Sequence, residues 1–208
     1  MRECARLGEG AVLFRHDQGS PASDEVETRL LAILDMVNDW LKFAEAKSLA
    51  LIALSGSGAT GLALITYQTV KADTRITLIV GLLATEACLV LSLAVALLSL
   101  FPQTNLAKFL TRDTERPVAS DNLYYFGHLR KYTPALLAAA VAQRYAKDTH
   151  YDADAHCSHT DLAAQLIANS RITAAKLQLF SLAAILLAAA VAVLVAALLL
   201  TGLLRALG

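Results

Sequence analysis

Between Lys47 and Ser48 the chain changes character without a helix breaker. From Asp24 onward, Val26, Leu30, Ile33, Val37, Trp40 or Leu41, and Ala44 recur at intervals of three and four. Glu27, Arg29, Asp35, Asp39, Lys42 and Glu45 fall on the other faces, which is the pattern of an amphipathic helix. Beyond Lys47 no charge appears until Lys71, which suits the roughly 20 apolar residues that a ~30 Å hydrocarbon layer requires. One helix is therefore predicted to begin in water and end in a bilayer. A polar region coupled in this way to a membrane span is the layout of a signal receiver.

Two further apolar runs repeat the demand for a bilayer. With 56% hydrophobic and 17% charged residues the chain is too apolar for an ordinary soluble domain. Its 18 Lys+Arg and 18 Asp+Glu balance, which removes the electrostatic basis for a nucleic-acid partner. The predicted fold is an all-α integral membrane protein. It has three transmembrane helices and a cytoplasmic helical region formed by the N-terminal helix and the large loop between spans two and three. Residues 1–22 read as a poorly ordered tail, 23–47 as the amphipathic helix and 48–67 as the first span. A turn at 68–75 and a second span at 76–101 follow, the latter stopped by Pro102. Residues 102–176 form the cytoplasmic helical region, with short helices expected from Asn105 to Leu110 and from Thr133-Pro134 to about Lys147. Thr160 is expected to cap a long helix that becomes the third span at 177–204, leaving 205–208 on the far side.

Small residues four apart mark where helices approach closely: Ala53, Ser57 and Gly61; Ala84, Cys88, Ser92 and Ala96; Ala184, Ala188, Ala192 and Ala196. Glu86 stands out in the second span, ~16 Å in from Arg75 at ~1.5 Å per residue. A carboxyl there is costly unless it meets a partner, water or another helix, and Leu82, Leu83, Leu89 and Val90 offer none. Glu86 is therefore either an intramembrane functional candidate, an inter-helix or inter-subunit contact, or a protonated glutamic acid with a solely structural role. His150, His156, Cys157 and His159 are close in sequence, but their spacing does not complete four zinc ligands, so a solvated loop is expected and no metal. No catalytic residues emerge, because convincing nucleophile and carboxylate spacings and a Gly-rich phosphate loop are missing.

Three blocks carry a resemblance. Trp40-Leu41-Lys42-Phe43-Ala44-Glu45-Ala46-Lys47 opens the first span, Tyr125-Phe126-Gly127 sits in the large loop, and Asp161-Leu162-Ala163-Ala164-Gln165-Leu166 with Asn169-Ser170-Arg171 and Lys176 precedes the third span. In this order, from about Leu31 to Leu187, they resemble the Pycsar effector family of the transmembrane type, PycTM. The resemblance implies a bacterial antiphage effector of the inner membrane, without enzymatic activity of its own. It would be activated by cyclic CMP or cyclic UMP, the diffusible product of a partner pyrimidine (uridylate or cytidylate) cyclase, and would impair the membrane in abortive infection. A homo-oligomer is expected. The ligand should dock where both membrane-entering helices can report it. Trp40 is the candidate for stacking on the base, Lys42, Lys47 and Arg171 for the cyclic phosphate, and Asn169 for base or ribose hydrogen bonds. Basic residues near the span ends put the N-terminus and large loop in the cytoplasm. The alternative reading is a structural or regulatory membrane subunit that binds another protein and no nucleotide.

Overall fold

The computed structural model describes residues 21–71, 76–101 and 115–207, and every regular element among them is helical. Helix α1 runs over Pro21–Lys71, α2 over Ile76–Leu98, α3 over Phe126–Leu129, α4 over Pro134–Val141 and α5 over Cys157–Ala206. The tail at 1–20, the turn residues 72–75 and the expected Asn105–Leu110 helix lie outside the described residues. Helices α1, α2 and α5 are long and apolar enough to cross a membrane. α1 passes from its amphipathic half into its apolar half without a break, and it continues through Gln68–Lys71, which the sequence assigned to the turn. α2 stops at Leu98, where Ser99 and Leu100 close a turn on Ala96 and Leu97 before Pro102.

The chain divides into two units, Met1–Lys42 with Thr104–Ala174 and Phe43–Gln103 with Ala175–Gly208. In the first unit, Val26, Leu30, Ile33 and Val37 of α1 are fully buried, as their spacing predicts. So are Leu123, Leu129, Leu137, Val141 and Leu166 from the other segments. α4 begins as the Thr133-Pro134 pair requires: the Thr133 hydroxyl accepts from the Leu136 amide, and Pro134 occupies the first turn, where its missing N–H costs nothing. The helix then loosens into a π-helical turn, Ala142–Ala146, and ends at Lys147 with φ 55°. α5 starts three residues before the expected cap. Thr160 lies inside it and donates to the Ala153 and His156 carbonyls at 3.0 and 3.4 Å.

In the second unit the buried positions of α2 are Leu82, Thr85, Leu89, Ser92 and Ala96, alternating steps of three and four, so that one narrow seam faces its neighbours. α5 contributes Ala183, Ala190 and Ala197, each seven apart, and α1 contributes Leu51, Ser55 and Leu62. Leu62, Leu82, Leu89 and Ala190 form one core cluster, and Leu51, Ala96 and Ala183 another. These levels show α1 and α5 running in the same direction and α2 against them. A hydrogen-bonded node ties all three: Ser92 Oγ donates to the Ala183 carbonyl at 2.8 Å, which leaves it to accept from Ser55 Oγ at 3.0 Å. Lys176, nearly buried, donates to Glu45 at 2.5 Å between α5 and α1. The small-residue stripes do not all serve packing within the protomer, a choice the sequence leaves open beside a subunit interface. Ala53, Ser57 and Gly61 face outward, as do Ala188, Ala192 and Ala196, and only Ser92 and Ala96 of the α2 stripe lie in the seam.

Candidate functional site

Asp121 organises the loop before α3. Its side chain is 3% exposed, and Oδ2 accepts from the Val118 amide at 2.9 Å, closing a tight turn. Lys131 Nζ stands 3.6 Å from Oδ1 and 2.8 Å from Glu115. Burial works to raise the Asp121 carboxyl, but the Val118 amide together with Lys131 and His128 outweighs it and holds the group below its usual value. Asn122 continues the turn by accepting from the Tyr124 amide at 2.9 Å, and its own amide donates to His128 Nδ1 at 2.9 Å. From the π-helical turn, Arg144 donates through its two Nη atoms to the Asp121 and Ala119 carbonyls at 2.6 and 2.5 Å. The loop is thereby pinned against α4.

Between the pinned loop and α4 lies an open cavity of about 800 Å³, with Arg116, Val118, Tyr132, Leu136, Gln143 and Arg144 in its walls. That size is within the usual range of small-molecule pockets. Arg116 is exposed at the rim and makes no hydrogen bond or ion pair among the described residues. A guanidinium so placed suits bidentate binding of a phosphate, and the Gln143 amide carries both donors and an acceptor for a base edge. Tyr132 donates a long hydrogen bond, 3.4 Å, to the Val118 carbonyl. No sequence pattern marked these residues, because they converge only when the loop folds back on α4.

A second cluster surrounds α3. The Trp40 ring, part exposed, lies 5.8 Å from that of Phe126 at 56°. Tyr125 packs 4.7 Å from Phe126 and edge-on to His128 at 5.2 Å. Its ring lies over Gly127, where a Cβ would sit 2.5 Å from Tyr125 Cε1, so a larger residue there would push the exposed Tyr125 ring aside. Arg171 donates to the carbonyl of Arg130, the C-cap of α3, at 3.3 and 3.4 Å. Trp40 and Arg171 therefore meet opposite ends of one short helix. The other candidates do not join them. Asn169 donates to Asn38 at 2.8 Å, Lys42 is exposed and paired with Asp39 at 3.1 Å, and Lys47 belongs to the second unit, over the rings of Phe43 and Phe180 at 4.3 and 5.4 Å. Glu86, on α2, is half-buried and has no hydrogen-bond or ion-pair partner among the described residues.

The family model of the Pycsar effector protein domain, PycTM, matches residues 29–203, which takes in α2, most of α1 and α5, the cavity and the α3 cluster. The chain belongs to the PycTM family. It is thus a membrane-spanning Pycsar effector of antiphage defence. No curated protein and no solved structure matches it.

Of the cluster read as a solvated loop in this PycTM chain, His150 is exposed in a turn as expected, whereas His159 departs from that reading. His159 is 1% exposed, and its Nδ1 shares a 2.9 Å hydrogen bond with the Tyr151 hydroxyl. Tyr151, His156 and His159 stack with near-parallel rings. No group of three or more metal-ligating side chains occurs among the described residues. Burial and the charge of His156 lower the His159 pKa from 6.5, against a smaller opposing effect of Glu27, and burial with Asp148 and Asp152 pushes Tyr151 up to about 12. From 6.5 downward the unfolded chain therefore takes the His159 proton before the folded one does, so stability falls with pH there and this contribution is flat above it. Amide protection factors of the first unit, corrected for the slower intrinsic exchange at lower pH, are expected to fall as the pH falls through that window. His159→Gln should remove this component of the pH dependence.

Proposed function

We propose that this effector senses a cyclic pyrimidine nucleotide, cyclic CMP or cyclic UMP, in its first unit and impairs the bacterial inner membrane through its three spans, ending in abortive infection. The observation that carries the reading is the cavity under Arg116 and Gln143, in a unit whose helices α1 and α5 continue unbroken into membrane spans. The nucleotide is the diffusible product of a partner pyrimidine cyclase, so no contact between the two proteins is needed. Arg116 would hold the cyclic phosphate, Gln143 the pyrimidine edge and Tyr132 one wall. Trp40 and Arg171 would then act less as direct ligands than as the two contacts through which α3 is read by α1 and α5. Lys42, Lys47 and Asn169, engaged with Asp39, with aromatic rings and with Asn38, would keep the helices in register.

The reading requires the first unit to be cytoplasmic. The basic residues near the span ends that lead to the first unit, Lys42, Lys47, Arg116, Arg171 and Lys176, outnumber Lys71, Arg75 and Arg205 near the opposite ends. A ligand shifts a two-state equilibrium only by binding one state better, so binding must be measurable on the whole chain. Calorimetry of detergent-solubilised protein with cyclic CMP, cyclic UMP, cyclic AMP and cyclic GMP is expected to show one pyrimidine nucleotide bound in preference to the purines. Arg116→Glu is expected to weaken that binding about tenfold or more, since it replaces a charge-assisted contact by repulsion. Absence of binding by all four nucleotides would reject the sensor reading.

A further inference from the structure

Glu86 is the single charged side chain in the described spans, residues 48–70, 76–98 and 177–204. It lies ten residues from Ile76, about 15 Å along α2 and so near mid-depth of a bilayer. Among the described residues of its own protomer it has no hydrogen-bond or ion-pair partner. The facing stretch of α1, between Gly58 beside Leu89 and Leu62 beside Leu82, offers Ala59, Thr60 and Gly61, and the Thr60 hydroxyl donates to the Gly56 carbonyl at 2.9 Å. Glu86 sits at the flank of the buried seam, on a face it shares with Leu83, Val90 and Leu97, all about half exposed. Lipid chains satisfy those three residues and give a carboxyl nothing.

The spans offer no basic residue on any copy to pair with it. What a second copy does bring to the same depth is another Glu86. We propose that the Glu86 side chains of several copies converge on one axis and, with water, form a carboxylate ring around a cation-conducting path. A ring of carboxylates selects cations, and flanking apolar rings close a pore by dewetting. Leu83 and Val90, one turn to either side of Glu86, supply those rings. The path is then dry at rest and opens when α2 is displaced. This inference rests on the membrane-impairment reading and states its physical form.

Two measurements on the full chain separate the inference from that reading. In planar bilayers under a KCl gradient, with cyclic CMP and cyclic UMP both added, wild-type currents are expected to reverse near the potassium equilibrium potential. Glu86→Gln currents, if any remain, are expected to reverse near zero. Anion selectivity, or an unchanged reversal potential in Glu86→Gln, overturns the ring. The second measurement needs no current. With Cys4, Cys88 and Cys157 replaced by serine, oxidation of membranes carrying Glu86→Cys is expected to yield disulfide-linked dimers well above those from Leu91→Cys, on the opposite side of α2. Equal cross-linking at the two positions overturns the ring. Strong cross-linking at position 86 without nucleotide-evoked current supports the ring and counts against nucleotide gating.

Discussion

Leucine in place of Gly81 is expected to separate α2 from α5 and to remove most of the folded protein from the membrane fraction. A Cβ on Gly81 would run directly into the Cβ of Ala197. That atom is fixed to the α5 backbone and cannot rotate away, unlike the tip of a flexible side chain. Ala197 is also a seam residue, one of three alanines at seven-residue spacing that set how closely α5 approaches. Overpacking of this kind costs about 1–3 kcal/mol and more when backbone must move. The hydrogen-bonded node of Ser55, Ser92 and Ala183 lies on the same helices and should open with it. Gly61 provides the contrast, because a Cβ built there has no heavy atom within 4 Å. Gly61→Ala is expected to be neutral or slightly stabilising, since alanine is the better helix former. Thermal unfolding of both variants in detergent checks the pair.

Asp121→Ala is expected to cost the first unit about 2–4 kcal/mol, because the change leaves buried groups without their acceptor. The Val118 amide loses its hydrogen bond, and Lys131 keeps only Glu115, whose carboxylate is largely exposed. The turn that presents the Asp121 and Ala119 carbonyls to Arg144 would then relax, and with it the wall of the cavity. Asp121→Asn retains a hydrogen-bond acceptor but not the charge and should fall between the two. Because the folded carboxyl lies below its usual value, its stabilising contribution is present above the unfolded value near 3.8 and is lost as pH falls through the folded one. Urea unfolding of the full chain, followed by Trp40 fluorescence, is the check.

The three long apolar helices and the helix start at Pro134 are legible because they follow from composition, length and local capping. The seam between the spans is not. In a bilayer the outward face is as apolar as the buried one, so periodicity loses the contrast that identifies a core in water. Small residues then mark close approach without saying on which face. Stripes at Ala53, Ser57 and Gly61 and at Ala188, Ala192 and Ala196 looked equivalent to the true seam through Ser55 and through Ala183, Ala190 and Ala197. The candidate site divided in the same way. Trp40 and Arg171 were visible as a ring and a cation near membrane-entering helices, and they meet α3. The cavity was hidden, because Arg144 acquires its role only from the carbonyls of a loop some twenty residues earlier in the chain.

On the proposed function, a cyclic pyrimidine nucleotide made elsewhere in the cell converts this PycTM protein from a silent to a damaging membrane protein. The most direct measurement expresses the full chain in bacteria with and without an active pyrimidine cyclase while a membrane-potential dye reports the inner membrane. The account predicts depolarisation only when both proteins are present, and loss of the response in Arg116→Glu at unchanged protein level. Depolarisation that is equal without the cyclase, or none with it, would contradict the account.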